Sequence, residues 1–308
     1  MELTIDTLAA LPISTIRSTL PAWIASHLDV AAPEQAGLAE QLAMIVASAT
    51  DEDIAALRNT FLHAGEGWRL HPADPLARSV TRAYMAAVVQ PWQLEGEGHV
   101  RAFCASSSAR RLIVCNHLSY TDTQATDAVM ALTGHAAVAD RLVAIAGPKV
   151  YTEPWRRMAA IALNTRKTAQ SSMVASEQGS LSPRELATIA LETIADCERL
   201  MDAGYIVLLY PEGTRSRDGR LQPFLRAAAR YLAIPGVEVL PLAQTGGDAV
   251  FPLGASLMQR APVSLRFGPS LTPAAFPGKW GGLESTHAAL AQLLPPEHRP
   301  RPEGPAVA

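Results

Sequence analysis

The stretch RRLIVCNHLSYTDT, residues 110–123, decides how this chain is read. Its RLIVC portion (111–115) is a short apolar run rich in branched side chains, the composition of a buried strand. The run stops abruptly at Asn116 and His117, and Asp122 follows five positions after the histidine. A buried strand that opens straight into a polar loop belongs to sheets whose functional groups collect past the strands' C-terminal ends.

Similar runs recur downstream: RLVAIAG (141–147), YIVLLY (205–210), VEVLPLA (237–243) and VSLRF (263–267). Helical patterns separate several of them. The clearest covers 183–203, where Ser182-Pro183-Arg184-Glu185 forms a capping box with proline at the first helical position and Gly204 stands at the C-terminal cap. Strands alternating with helices, with nearly continuous apolar cores, predict an α/β domain over 91–290 with a largely parallel central sheet flanked by helices. Residues 1–90 carry helical periodicity only. LAEQLAMIVASA (38–49) is amphipathic, Thr50 caps 50–62, and Asp74-Pro75 opens 74–89. A small helical N-terminal subdomain is expected there. The proline-rich stretch 291–308 is expected to be a disordered tail.

The bulk numbers agree with a folded chain. Of 308 residues, 48% are hydrophobic and 18% charged, which excludes a disordered protein. Cys104, Cys115 and Cys197 are odd in number and fit neither a zinc site nor a disulfide framework, so buried thiols in a reducing compartment are expected. The N-terminus lacks the basic segment of a secretory signal, and no apolar window approaches the roughly 18 residues of a membrane span. A cytoplasmic location follows as the expectation, with peripheral contact on the inner face of the cytoplasmic membrane. EPWRRMAAIAL (153–163) has the ingredients of an interfacial helix and equally those of a buried core helix.

Charge is unevenly spread. Residues 1–60 hold eight acids against Arg17 and Arg58, a net of −6. Residues 147–170 reach +4 through Lys149, Arg156, Arg157, Arg166 and Lys167 against Glu153, and residues 211–230 reach +3. The two basic segments suggest an anionic ligand or an anionic surface; either alone reads as a solvated helix face, and the pair, close to polar loops, favours a ligand. No nucleic-acid partner is expected.

Histidine is the natural general base near neutral pH, which makes His117 a candidate, and a carboxylate on the neighbouring turn can hold one imidazole nitrogen while the other takes a proton. On these two residues alone, a general base and a structural histidine fit equally well. A second loop, PEGTRSRDG (211–219), follows the YIVLLY run. Glu212, Gly213, Thr214 and Arg215 combine an acid, a permissive backbone, a hydroxyl and a cation suited to phosphate. No G-x-S-x-G element is present, so the substrate is expected to bring the attacking hydroxyl. The acids are not grouped with histidines at ligand spacing, and neither metal nor cofactor is expected.

NHLSYTD (116–122) resembles the N-H-x-S-x-x-D block, with its H-x4-D core, of the PlsC-like glycerolipid acyltransferases, the lysophosphatidic acid acyltransferase family. YPEGTRS (210–216) resembles that family's F-P-E-G-T-R-S block, with Tyr210 in the place of phenylalanine. GPKVYTEPWRRMAAIALNTRKT (147–168) is similar to the intermediate block, matching at Lys149, Pro154 and Arg166. The segment 224–243 is similar to the last block through Pro241, and SLRFGPSL (264–271) to the closing strand. The resemblance spans roughly 95–275. Arg157 and Ala227 stand where glycines are usual, which bears on the shape of the acceptor pocket. Residues 1–90 loosely resemble the helical domain of soluble plastid glycerol-3-phosphate acyltransferases, whose second block differs from the one here.

The resemblance implies an O-acyltransferase of phospholipid biosynthesis. His117, oriented by Asp122, would deprotonate a hydroxyl of a phosphorylated glycerol, most readily 1-acyl-glycerol-3-phosphate, for attack on acyl-CoA or acyl-acyl carrier protein as co-substrate. Asn116, Ser119, Lys149, Arg166, Glu212, Gly213, Thr214 and Arg215 would bind substrate. The alternatives are glycerol-3-phosphate or another lysolipid or amino-lipid as acceptor, a thioester hydrolase, and a non-catalytic lipid- or carrier-binding module.

Overall fold

The computed structural model describes residues 4–169, 181–302 and 305–308. At its centre is an eight-stranded sheet of β1 (Leu70–His71), β2 (Trp92–Glu95), β3 (Arg110–Cys115), β4 (Leu142–Ala146), β5 (Asn164–Lys167), β6 (Ile206–Leu209), β7 (Val237–Thr245) and β8 (Val263–Phe267). The order is β1-β5-β4-β6-β3-β7-β8-β2. Every pairing from β5 through β4, β6 and β3 to β7 is parallel. β1 joins β5 and β8 joins β7 antiparallel, and β2 runs parallel to β8. The five apolar runs of the sequence are β3, β4, β6, β7 and β8, and the largely parallel α/β sheet flanked by helices is the fold.

β3 lies between β6 and β7, with Ile113 opposite both Leu208 and Leu240. Successive strand residues point to opposite faces. Ile113 and Cys115 enter a core shared with the N-terminal helices and the helix Asp122–Leu132. Leu112 and Val114 enter the other, beneath the helices Pro183–Asp202 and Gly281–Leu293. Helices thus cover both faces, as parallel strands apolar on both sides require. Cys115 and Cys197 are buried, Cys104 is half-buried, and all three are free thiols.

The expected helices form from the expected caps. Thr50 Oγ1 accepts from the Asp53 amide while Asp53 accepts from the Thr50 amide. Asp74 accepts from the Ala77 amide ahead of Pro75–Val88, and Ser182 and Glu185 close the capping box of Pro183–Asp202.

Residues 1–90 differ from the expected helix-only subdomain in two respects. They contribute β1, a two-residue strand too short for periodicity to register. Leu20, Leu42, Ile54 and Val80 also lie in one continuous core with Ile113, Leu208 and Leu240, so the packing does not break at residue 90. The proline-rich C-terminus likewise differs from a disordered tail. Its carbonyls accept where its prolines cannot donate: His298 O from the Leu221 amide (2.9 Å), Ala306 O from Phe224 (2.9 Å) and Ala308 O from Arg226 (3.1 Å). The segment 153–163 is a core helix in the main. Met158, Ala159, Ala160 and Ile161 of the helix Pro154–Ile161 are buried, and Trp155 packs against Trp23, His27 and Tyr84.

Candidate active site

β3 ends at Cys115, and the next two residues are fixed separately. Asn116 is 1% exposed, and its amide side chain continues the sheet beyond the last strand residue. Its Nδ2 donates to Gln244 O at 2.9 Å and its Oδ1 accepts from the Gln244 amide at 2.8 Å. The chain end of β3 is thereby stitched to β7 beyond their last pair, one residue past Cys115 and two past Leu242.

His117 is clamped through its backbone by the loop that follows β6. Its N–H donates to Glu212 Oε1 at 2.7 Å, and its carbonyl accepts from the Ser216 amide at 2.7 Å. The ring stacks on Tyr210 with centroids 4.5 Å apart, and the Tyr210 hydroxyl pairs with Thr123 Oγ1 at 2.9 Å. Burial pushes the Tyr210 phenol well above its ordinary value. The two polar loops noted in the sequence are therefore one structure, with the second holding the first.

Asp122 is the first residue of the helix Asp122–Leu132 and is buried. Its Oδ2 accepts from His117 Nδ1 at 2.9 Å and from the Leu118 and Ser119 amides at 2.6 and 2.8 Å. Gln244 Nε2 donates to Oδ1 at 3.4 Å, and Gln244 Oε1 accepts from Thr126. A carboxylate only accepts, so the proton of a neutral imidazole sits on Nδ1 and the Nε2 lone pair stays open. Among the described residues Nε2 has no hydrogen-bond partner, and the His117 side chain keeps 19% exposure. The pair can take a proton from a hydroxyl brought to Nε2 and give it up again.

Gly247 keeps this arrangement close-packed. A Cβ there would stand 2.2 Å from Asp122 Oδ1. Gly213, in the second loop, has φ +68°, and a Cβ there would meet Leu225 Cδ1 at 2.3 Å.

The expected substrate-binding residues fall into two groups. Arg215, Gly213, Thr214 and Lys149 reach the surface at the C-terminal end of the sheet. Arg215 sets its guanidinium 3.7 Å from the centre of the Tyr120 ring and has no ion pair among the described residues. Lys149 lies in the turn Pro148–Tyr151 that follows β4. Asn116, Ser119, Glu212 and Arg166 are buried and already partnered within the protein. Ser119 Oγ donates to Phe251 O at 3.2 Å. Glu212 uses Oε1 for His117 and Oε2 for the Gln222 amide (2.8 Å), and burial raises its carboxyl to about 8 against the pull of these two amides. Arg166 on β5 is 0% exposed and paired with Asp196 (Nη2–Oδ2 2.6 Å), three strands from β3, so its charge is closed off from a ligand at His117.

Sequence reading missed Gln244, Gly247, Tyr120 and Arg156. Gln244 carried a signal, being a polar residue directly after the apolar run 239–243 of β7. Gly247 and Tyr120 carried none, because their roles come from elements brought together only by the fold.

The acyltransferase family model matches residues 93–245, which contain β3 through β7, all of β2 but its first residue, and every residue of this cluster except Gly247 and Phe251. Among curated proteins, a chloroplastic 1-acyl-sn-glycerol-3-phosphate acyltransferase of Brassica napus is 38% identical over 65 residues, 21% of this chain and 19% of the relative. A 1-acyl-sn-glycerol-3-phosphate acyltransferase of Chlamydomonas reinhardtii is 32% identical over 108 residues, 35% of this chain and 32% of the relative. The matched stretches span less than a third of these relatives' own length. Among solved structures, the 1-acyl-sn-glycerophosphate acyltransferase PlsC of Thermotoga maritima superposes with a TM-score of 0.48 at 15% identity, covering 91% of this chain and 95% of that one.

Proposed function

We propose that this chain, whose residues 93–245 match the acyltransferase family model, transfers an acyl group from a thioester to a hydroxyl of a phosphorylated glycerol lipid, most directly 1-acyl-glycerol-3-phosphate. The observation that carries this reading is the His117–Asp122 pair, whose Nε2 has no partner among the described residues, together with Arg215 on the Tyr120 ring, which no carboxylate pairs with among the described residues. Nε2 removes the acceptor's hydroxyl proton as its oxygen attacks the thioester carbonyl. The tetrahedral intermediate collapses, the C–S bond breaks, and the departing thiolate takes the proton from the imidazolium. Arg215 holds the acceptor's phosphate. Glu212, Asn116, Gln244 and Ser216 keep the base in place and do not touch substrate. The names of the curated relatives support the acceptor class. Acyl-CoA and acyl-acyl carrier protein are both suitable donors.

We place the reaction at a membrane surface. Among the described residues no helix is long and apolar enough to cross a membrane. Leu253 and Leu257, 60% and 38% exposed, lie in the segment after β7 whose Phe251 carbonyl holds Ser119, and so offer apolar contact near the base.

The test is a panel of acceptors (1-acyl-glycerol-3-phosphate, glycerol-3-phosphate, lysophosphatidylcholine, an amino-lipid) crossed with both donors, with products read by mass spectrometry. Acyl transfer to a phosphorylated acceptor, lowered by about 10²–10⁴ in His117→Ala, is expected. An unchanged rate in that variant refutes the mechanism. Thioester loss without an acceptor would make the protein a hydrolase, and binding without turnover a carrier module.

A further inference from the structure

Two cations meet on one aromatic ring in the loop that carries the base. Tyr120 is three residues past His117 and half-buried. The Arg215 guanidinium stands 3.7 Å from its ring centre, arriving from the loop after β6. The Arg156 guanidinium stands 4.8 Å from the same centre, arriving from the helix Pro154–Ile161. These elements are about sixty residues apart in sequence and share no backbone hydrogen bond among the described residues. Arg156 is only weakly engaged otherwise. Its Nη1 donates to the Lys149 carbonyl at 3.3 Å, and its one ion-pair partner among the described residues, Glu153, is exposed and 3.9 Å away. Like charges repel, and the face of an aromatic ring offsets part of that cost. Arg166, the cation offered by the resemblance, is meanwhile sealed beneath the sheet with Asp196.

We infer that Arg156 and Arg215, gathered on Tyr120, form a paired cation site that selects a dianionic phosphomonoester over neutral or zwitterionic headgroups. This deepens the reading of the acceptor above and rests on it. A single phosphoryl group carries enough oxygens to accept from both guanidinium forks, and its second negative charge relieves the repulsion between them. A phosphodiester or choline headgroup presents one negative charge and gains less. The selecting residue is therefore Arg156, since Arg215 alone suffices for a monoanion.

The experiment has a binding arm and a turnover arm. Binding of a short-chain 1-acyl-glycerol-3-phosphate and of the matching monoacylglycerol is measured by calorimetry on wild type, Arg156→Gln, Arg156→Lys and Tyr120→Phe. Wild type is expected to prefer the phosphorylated ligand, and Arg156→Gln to weaken that ligand about tenfold or more. Arg156→Lys restores part of the loss and Tyr120→Phe keeps the site, because charge and ring are respectively retained. In turnover, Arg156→Gln raises KM for the phosphorylated acceptor far more than it lowers kcat, and the kcat/KM preference over monoacylglycerol falls by a similar factor. Equal phosphate binding in wild type and Arg156→Gln, or none in wild type, overturns the inference. Should wild type bind the phosphorylated ligand through Arg156 yet never acylate it, the paired site stands and the transferase reading fails.

Discussion

Glu212 joins the two halves of the site through a buried carboxyl raised to about 8 from an ordinary value of 4.5. Burial dominates, and the His117 and Gln222 amides oppose it. The folded state therefore holds a proton that the unfolded chain releases between pH 4.5 and about 8. Stability from this group is complete below pH 4.5 and lost as pH rises through about 8. Glu212→Gln is expected to flatten that fall relative to wild type. Comparing the two proteins matters because His71, lowered to about 4 by burial, contributes the opposite slope below its ordinary value. The amide nitrogen cannot accept, so one of the two backbone N–H groups is left unsatisfied, at about 1–3 kcal/mol. Denaturation midpoints of both proteins at pH 5, 7 and 8.5 measure both effects; parallel pH curves would show that Glu212 does not titrate in this window.

Between elements, the aim of the histidine depends on where the chain leaves β3 and β7. Asp122 and Gln244 face each other across these ends, and Gly247 packs against the carboxylate. Gly247→Ala brings a methyl to 2.2 Å from Asp122 Oδ1, so the carboxylate must turn away from His117. We expect kcat to fall at least tenfold with a smaller change in KM, while overpacking costs about 1–3 kcal/mol. The Nδ1 proton of His117, followed by NMR, should lose its hydrogen-bonded shift; an unperturbed signal with full activity would show that the loop absorbs the methyl. The same junctions mark how far the sequence could be read. β3, β4, β6, β7 and β8 declare themselves by apolar side chains, and His117, Asp122 and Arg215 by chemistry that follows strand ends. β5 reads Asn-Thr-Arg-Lys and hides, because its burial is met by hydrogen bonds. Asn164 donates to the Asp140 and Leu142 carbonyls and Arg166 pairs with Asp196. No pattern within one segment encodes such partners, for the same reason that nothing local marks Gly247 and that the basic segment 147–170 does not single out Arg156 from its neighbours.

Across the whole molecule, the N-terminal helices and the sheet share one core, and this has a thermodynamic consequence. Leu42, on the helix Ala32–Ser48, is 0% exposed in the cluster that reaches Ile113 of β3. Arg157 carries the connection further, donating from the helix Pro154–Ile161 to the carbonyls of Phe61 and Leu62. Trp23 and Trp155 meet edge-on at 5.9 Å across the same junction. A boundary so continuous leaves no weak plane at which residues 1–90 could melt alone. Leu42→Ala is expected to cost about 2–5 kcal/mol, since the cavity it leaves is walled by rigid helices. That loss should appear in one transition, with hydrogen exchange in Ala32–Ser48 and in β3 accelerated by the same factor. If exchange rises in the helix while β3 keeps its protection, the N-terminal helices unfold separately and the shared core does not couple them to the base. If the two rise together, a substitution far from His117 controls how long the base stays assembled, through stability alone.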